Sequence, residues 1–211
     1  MPLPDVFNMI AKTAEWFAKP DNRGLDTFDR VFLRMGQLAE DVGIGGDKLK
    51  IYNRVVGRGD TSPITEKDLS PKSMKFLSDM VNRSYTERGD GAFRSMNDYN
   101  TYGPKMNLGF NELHPSLPPK IMGMDAVSDA YKHDVYQVLG RFNYAKDKDD
   151  GSSINISDTY DFNYPFAGTK NPLVRALTAI TGPRNYAVDL AHRVVPPGKG
   201  APVNIKIPRK P

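Results

Sequence analysis

Apolar positions recur along the chain with two periods, and each period predicts a different kind of element. From Pro4 to Lys19, Val6, Phe7, Met9, Ile10, Ala14, Trp16 and Phe17 fall at helical spacing, and Pro20 ends the run. A second amphipathic helix is predicted from Leu25 to about Val42, with Phe28, Val31, Phe32, Met35, Leu38 and Val42 on one face and Gly43 as its stop. Both apolar faces are expected to dock on the main core, the alternative being a membrane surface or a partner. Ile51, Tyr52, Val55 and Val56 fit either a short strand or a helical turn, and the Arg58-Gly59-Asp60 triplet reads as a turn. Ser70 and Pro71 form an N-cap and first-turn pair for a helix to about Arg83, with Met74, Leu77, Met80 and Val81 facing inward. The stretch from Thr86 to Lys120 is rich in Gly, Asn, Asp and Pro and is expected to be irregular.

The period then changes. Asp134–Tyr144, with Val135, Val138, Leu139, Phe142 and Tyr144, and Ser153–Phe162, with Ile154, Ile156, Thr159, Tyr160 and Phe162, flank a charged turn, Lys146–Ser152, and predict a β-hairpin whose KDKDD tip is solvated. If period 2 holds in the second strand, Ile154, Ile156, Asp158 and Tyr160 share one face, so an acidic side chain stands in line with apolar ones. Asn171 and Pro172 open a short helix that Gly182 and Pro183 close, and Tyr186–Val195 and Val203–Ile207 are expected to pair as the last two strands. The fold class expected is α+β, with short amphipathic helices packed on an antiparallel sheet. Residues 1–45 are read as an N-terminal helical segment and 46–211 as the main domain.

Composition narrows the chemistry. The 211 residues contain no Cys, which removes disulfides, thiolate metal sites and a cysteine nucleophile. A net charge of +4 suits an anionic ligand, but the Lys and Arg are dispersed, so phosphate is a fitting partner and nucleic acid is not expected. No apolar stretch reaches the roughly 18 to 20 residues that span a bilayer, and the first residues lack the form of a signal peptide. P-loop, Rossmann, zinc and GxSxG patterns are absent from the sequence. His114, His133, Arg94, Lys105, Lys170 and Arg175 are weaker candidates, each read as an ordinary surface or loop residue.

The run DTYDFN from Asp158 to Asn163 resembles the Asp-x-Tyr-Asp motif of the colicin M family. LSPKSMKFLSDMV from Leu69, YQVLGRF from Tyr136 and the closing segments around NYAVDL and VNIKIP follow in similar order, so the resemblance covers roughly Asp47 to Lys206. It implies a curved, half-barrel catalytic domain that cleaves lipid II, the undecaprenyl-pyrophosphate-linked peptidoglycan precursor, between lipid and pyrophosphate. It further implies Mg2+ as cofactor, Asp158 and Asp161 as metal ligands, Tyr160 as a further catalytic residue, and action at the inner-membrane surface from the periplasm, reached by release or delivery. The family's His-Arg pair should follow the motif, where this chain has Ala167 and Gly168; His192 and Arg193 are expected to take its place from the neighbouring strand. There, His192 would act as general acid or base and Arg193 as a phosphate clamp. The other reading is a non-enzymatic phage virion or interaction protein on the same fold.

Overall fold

The computed structural model describes Glu15, residues 24–43, 45–104, 135–160, 183–195 and 198–210, with backbone alone at 183–185. Helix α1 (Thr27–Asp41) opens on a reciprocal cap: the Asp29 amide donates to the Asp26 side chain at 2.8 Å, and the Asp26 amide to the Asp29 side chain at 3.2 Å. Helix α2 (Gly46–Tyr52) continues into a π-helical turn at Asn53–Gly57, so the ambiguous apolar run is helical, with Ile51, Val55 and Val56 buried. Helix α3 (Pro71–Arg88) starts where the Ser70–Pro71 pair predicts and buries Phe76, Leu77, Met80 and Val81. It runs past Arg83 because Ser84 is also an inward position, bonded to the Tyr144 hydroxyl at 2.6 Å. The stretch after it, expected to be irregular, contains strand β1 (Gly91–Phe93) and helix α4 (Met96–Tyr102); its residues 105–120 lie outside the described residues.

Strands β2 (Phe142–Lys146), β3 (Ser153–Tyr160) and β4 (Ala201–Pro208) complete a four-stranded sheet of order β1-β2-β3-β4. Every neighbouring pair is antiparallel and the sheet is not closed into a barrel, so the fold is α+β. The hairpin is present, but its first arm is shorter than the sequence predicts. Residues 135–139 are helical with Val135, Val138 and Leu139 buried, and Gly140 turns the chain at φ +60° before Phe142 begins the strand. One sheet face carries Phe93, Phe142, Tyr144, Ile154, Ile156, Tyr160, Ala201, Val203, Ile205 and Ile207, all buried; β4 alternates buried and exposed without a break. Helix α3 closes over this face. Its Arg88 donates to the Tyr144 hydroxyl at 2.9 Å and stands over the Tyr102 ring at 4.9 Å.

Three expectations need correction. Tyr186–Val195 is not a strand: helix α5 (Pro183–Val194) occupies it, and Pro183, read as a stop, is the first residue of that helix. The buried residues Tyr186, Leu190, Ala191 and Val195 recur with helical spacing, and Asp189 pairs with Arg193 one turn on. The apolar face of α1 does not dock entirely on the core. Leu33 is buried, but Phe28, Val31, Met35 and Val42 are 37, 38, 65 and 49% exposed, because Asp29 and Gln37 turn inward on the opposite side. The hairpin tip is not uniformly solvated either, since Asp147 is buried and, with Asp150, pairs with Lys206 at 2.7 Å. Among the described residues, no helix is long and apolar enough to cross a membrane.

Candidate functional site

Asp158 and Tyr160 stand at the C-terminal end of β3, opposite Val203 and Ala201 of β4. Period 2 places both on the buried face with Ile154 and Ile156, as the sequence predicts; Tyr160 is buried and Asp158 half-buried. A carboxylate on an apolar face costs desolvation unless polar groups meet it. Among the described residues, two phenols stand near this strand end. Tyr99, from α4, is buried and donates to the Gly140 carbonyl at 2.8 Å. Burial above all, then Tyr136, Asp158 and Asp98, pushes its phenol well above the ordinary range. Tyr52, at the end of α2, donates to the Ala187 carbonyl of α5 at 2.8 Å. Burial, then Tyr160 and Tyr186, outweighs the opposing charge of Arg193, and Asp29 adds to the upward shift. Both phenols therefore stay protonated at neutral pH and act as hydrogen-bond donors, not as bases.

His192 and Arg193 lie in the last turn of α5, not where a strand runs into a turn. His192 is half-buried. The Arg193 guanidinium forks onto Asp29, donating from Nη1 to Oδ2 and from Nη2 to Oδ1, each at 2.9 Å, and reaches Asp189 at 3.2 Å through Nε. Tyr186 donates to the same Asp29 at 2.5 Å. Asp29 is fully buried, and its hydrogen bond first, with its charge, raises Arg193 further above its already high value. The fold therefore brings Arg193 into the electrostatic neighbourhood of Tyr52, as it does Tyr160, while committing its fork to a carboxylate.

Asp161 lies outside the described residues, as do His114, His133, Lys105, Lys170, Arg175 and the Ala167–Gly168 position. Arg94 lies away from this cluster, donating to Asn143 on the exposed sheet face at 2.9 Å. Among the described residues, no three His, Asp or Glu side chains gather closely enough to hold a metal ion. Mg2+ commonly takes one or two carboxylates together with waters and substrate phosphates, and Asp158 is a half-buried donor of that kind. Sequence reasoning missed Asp29, Tyr52 and Tyr99 as members of the cluster. Asp26 and Asp29 carry a legible capping signal, but nothing local marks Asp29 as a partner for a side chain 164 positions away. Searches against protein families, curated proteins and solved structures found no match.

Proposed function

We propose that this chain is a lipid II hydrolase of the colicin M type, on the finer form of the fold that the resemblance implies, a half-barrel sheet. The observation that carries the reading is the pairing of Asp158 and Tyr160 on the inward face at the end of β3, among protonated phenols. In this reading Asp158, with Asp161, holds Mg2+, which supplies charge neutralisation at the pyrophosphate. Tyr160 donates a hydrogen bond to a phosphate oxygen. Water adds to the phosphorus next to the lipid, the bond from that phosphorus to the polyprenyl oxygen breaks, and His192 delivers the proton that leaves the lipid as a free alcohol. The products are undecaprenol and a pyrophosphorylated head group. The reaction belongs at the periplasmic side of the inner membrane, where the head group is exposed.

The test is release of the pyrophosphorylated head group from lipid II by the purified protein with Mg2+. Release should stop with chelator and fall by at least about 100-fold in Asp158→Asn, the scale expected for losing a positioned acid–base or metal-binding group. Undiminished release by folded Asp158→Asn overturns the assignment. One observation favours a second reading, a non-enzymatic virion or interaction protein on the same fold: the Arg193 fork is engaged by Asp29 and Asp189. No release by wild-type protein under any Mg2+ concentration would select that reading. Full activity in His192→Ala would keep the hydrolase and remove the relocated pair.

A further inference from the structure

Where β4 gives out, the chain is held on α3 in the way an extended peptide ligand is held. Asn82, buried on α3, donates from Nδ2 to the Pro208 carbonyl at 3.1 Å and accepts at Oδ1 from the Lys210 amide at 2.7 Å. An amide set against the C=O of one residue and the N–H of the second residue on offers what a neighbouring strand would offer, so Asn82 reads extended backbone whatever side chains it bears. The clamp is preorganised, because Nδ2 also donates to the Ser78 carbonyl one turn back at 2.9 Å, which fixes the amide from within α3. Side chains alternate along an extended segment, and the two that follow Pro208 go to different walls. The Arg209 guanidinium stands 5.7 Å from the centre of the Tyr85 ring, and the Lys210 ammonium pairs with Asp79.

The space does not stop at Lys210. That residue forms one wall of a cleft of about 650 Å3 that runs from Asp79 and Asn82 on α3 to Thr101 and Tyr102 on α4, within the roughly 300–1,000 Å3 of ligand sites. Lys210 aside, the charged lining is two carboxylates, Asp79 and Glu87, against one guanidinium, Arg83, a balance that favours a cationic occupant. The cleft is remote from Asp158 and Tyr160. Pro208 pairs with Ser153 and Ala201 with Tyr160, so about 23 Å of strand separates the two ends.

We propose that this face of α3 is a binding site for an extended peptide segment with two consecutive basic residues, and that Pro208, Arg209 and Lys210 occupy it as a displaceable strap. A partner's segment takes the Asn82 clamp, sets its first cation over Tyr85 and its second against Asp79, and continues into the cleft beyond. A short tethered strap competes at roughly millimolar effective concentration, which a longer segment making further contacts along the cleft exceeds. This inference is independent of the hydrolase reading.

The probe is a peptide of residues 206–211, Lys-Ile-Pro-Arg-Lys-Pro, titrated into full-length 15N-labelled protein and followed by amide chemical shifts. In Arg209→Ser/Lys210→Glu, whose own strap lacks both cations, the peptide is expected to shift the Asn82 side-chain amide and the α3 amides around it saturably. The apparent Kd should be at least about tenfold lower than for wild type, where the strap competes. A peptide with the same two substitutions should give no saturable shift. Adding Asn82→Ala to the vacated protein should abolish binding; if circular dichroism shows that this variant does not fold, Asp79→Lys, at a half-buried position, should abolish it by charge reversal. Absence of saturable binding to the vacated protein overturns the proposal, as do equal affinities for the vacated and wild-type proteins. Saturable binding of the substituted peptide, or binding that survives Asp79→Lys, overturns it as well.

Discussion

Replacing Asp29 by Asn keeps the size of a fully buried side chain and removes its charge where two guanidinium nitrogens, a phenol and a backbone amide converge. The carboxylate accepts at both oxygens, Oδ1 from Tyr186 and Arg193 Nη2, Oδ2 from Arg193 Nη1 and the Asp26 amide. An amide has one oxygen. With that oxygen at the Oδ1 position, its NH2 group faces Arg193 Nη1 and the Asp26 amide, donor against donor. Each charge-assisted bond is worth about 1.5–3 kcal/mol, and breaking a wholly buried pair costs about 3–5 kcal/mol. Arg193 is 29% exposed and keeps Asp189 at 3.2 Å, which discounts the loss to about 2–3 kcal/mol. For a chain of this length that corresponds to a Tm drop of about 4–12 °C. Urea unfolding followed by circular dichroism reads the change, and a double-mutant cycle with Arg193→Ala should give a coupling energy above about 1 kcal/mol. A loss below about 1 kcal/mol, or additive single mutants, would refute the claim that this pair fastens α5 to α1.

Gly36→Ala, a stabilising change by helix propensity, should instead cost about 1–3 kcal/mol in urea unfolding, because its Cβ would stand 2.9 Å from Asn53 Oδ1 and 3.6 Å from Leu49 Cδ1. A gain in stability would mean the α1–π-turn contact is looser than described. Tyr144→Phe strips the hydroxyl that meets Ser84 at 2.6 Å and Arg88 at 2.9 Å and should cost about 1–3 kcal/mol by the same assay; a neutral outcome would show that water satisfies both groups. Lys206 holds Asp150 down to about 2, first through its side-chain hydrogen bond, and lowers Asp147 in the same way. Carboxyls depressed in the folded state stabilise it above their unfolded value near 4 and lose that contribution as pH falls towards about 2. Wild-type stability should therefore fall with acid between about pH 4 and 2, and Lys206→Gln should flatten that slope; an unchanged slope would remove Lys206 as the cause.

How much of this was legible in the chain depends on the range of the interaction concerned. Local rules carried the α3 start at Ser70–Pro71, the helical period of α1 and the period-2 face that aligns Asp158 and Tyr160 with Ile154 and Ile156. Each follows from atoms a few residues apart. Tyr186–Val195 escaped because a short apolar run reads as strand or helix alike. Its helical choice is expressed through distant partners, Tyr52 meeting Ala187 and Asp29 meeting Arg193. The same distance hid Tyr52 and Tyr99 as neighbours of the β3 end and hid the commitment of the Arg193 fork to Asp29. Amphipathicity said that α1 has an apolar stripe, and tertiary structure decided that most of it faces out. The ion pair of buried Asp29 with Arg193 and the inward Gln37 fix the rotation of that helix, and rotation about an axis is invisible to a pattern that records spacing alone.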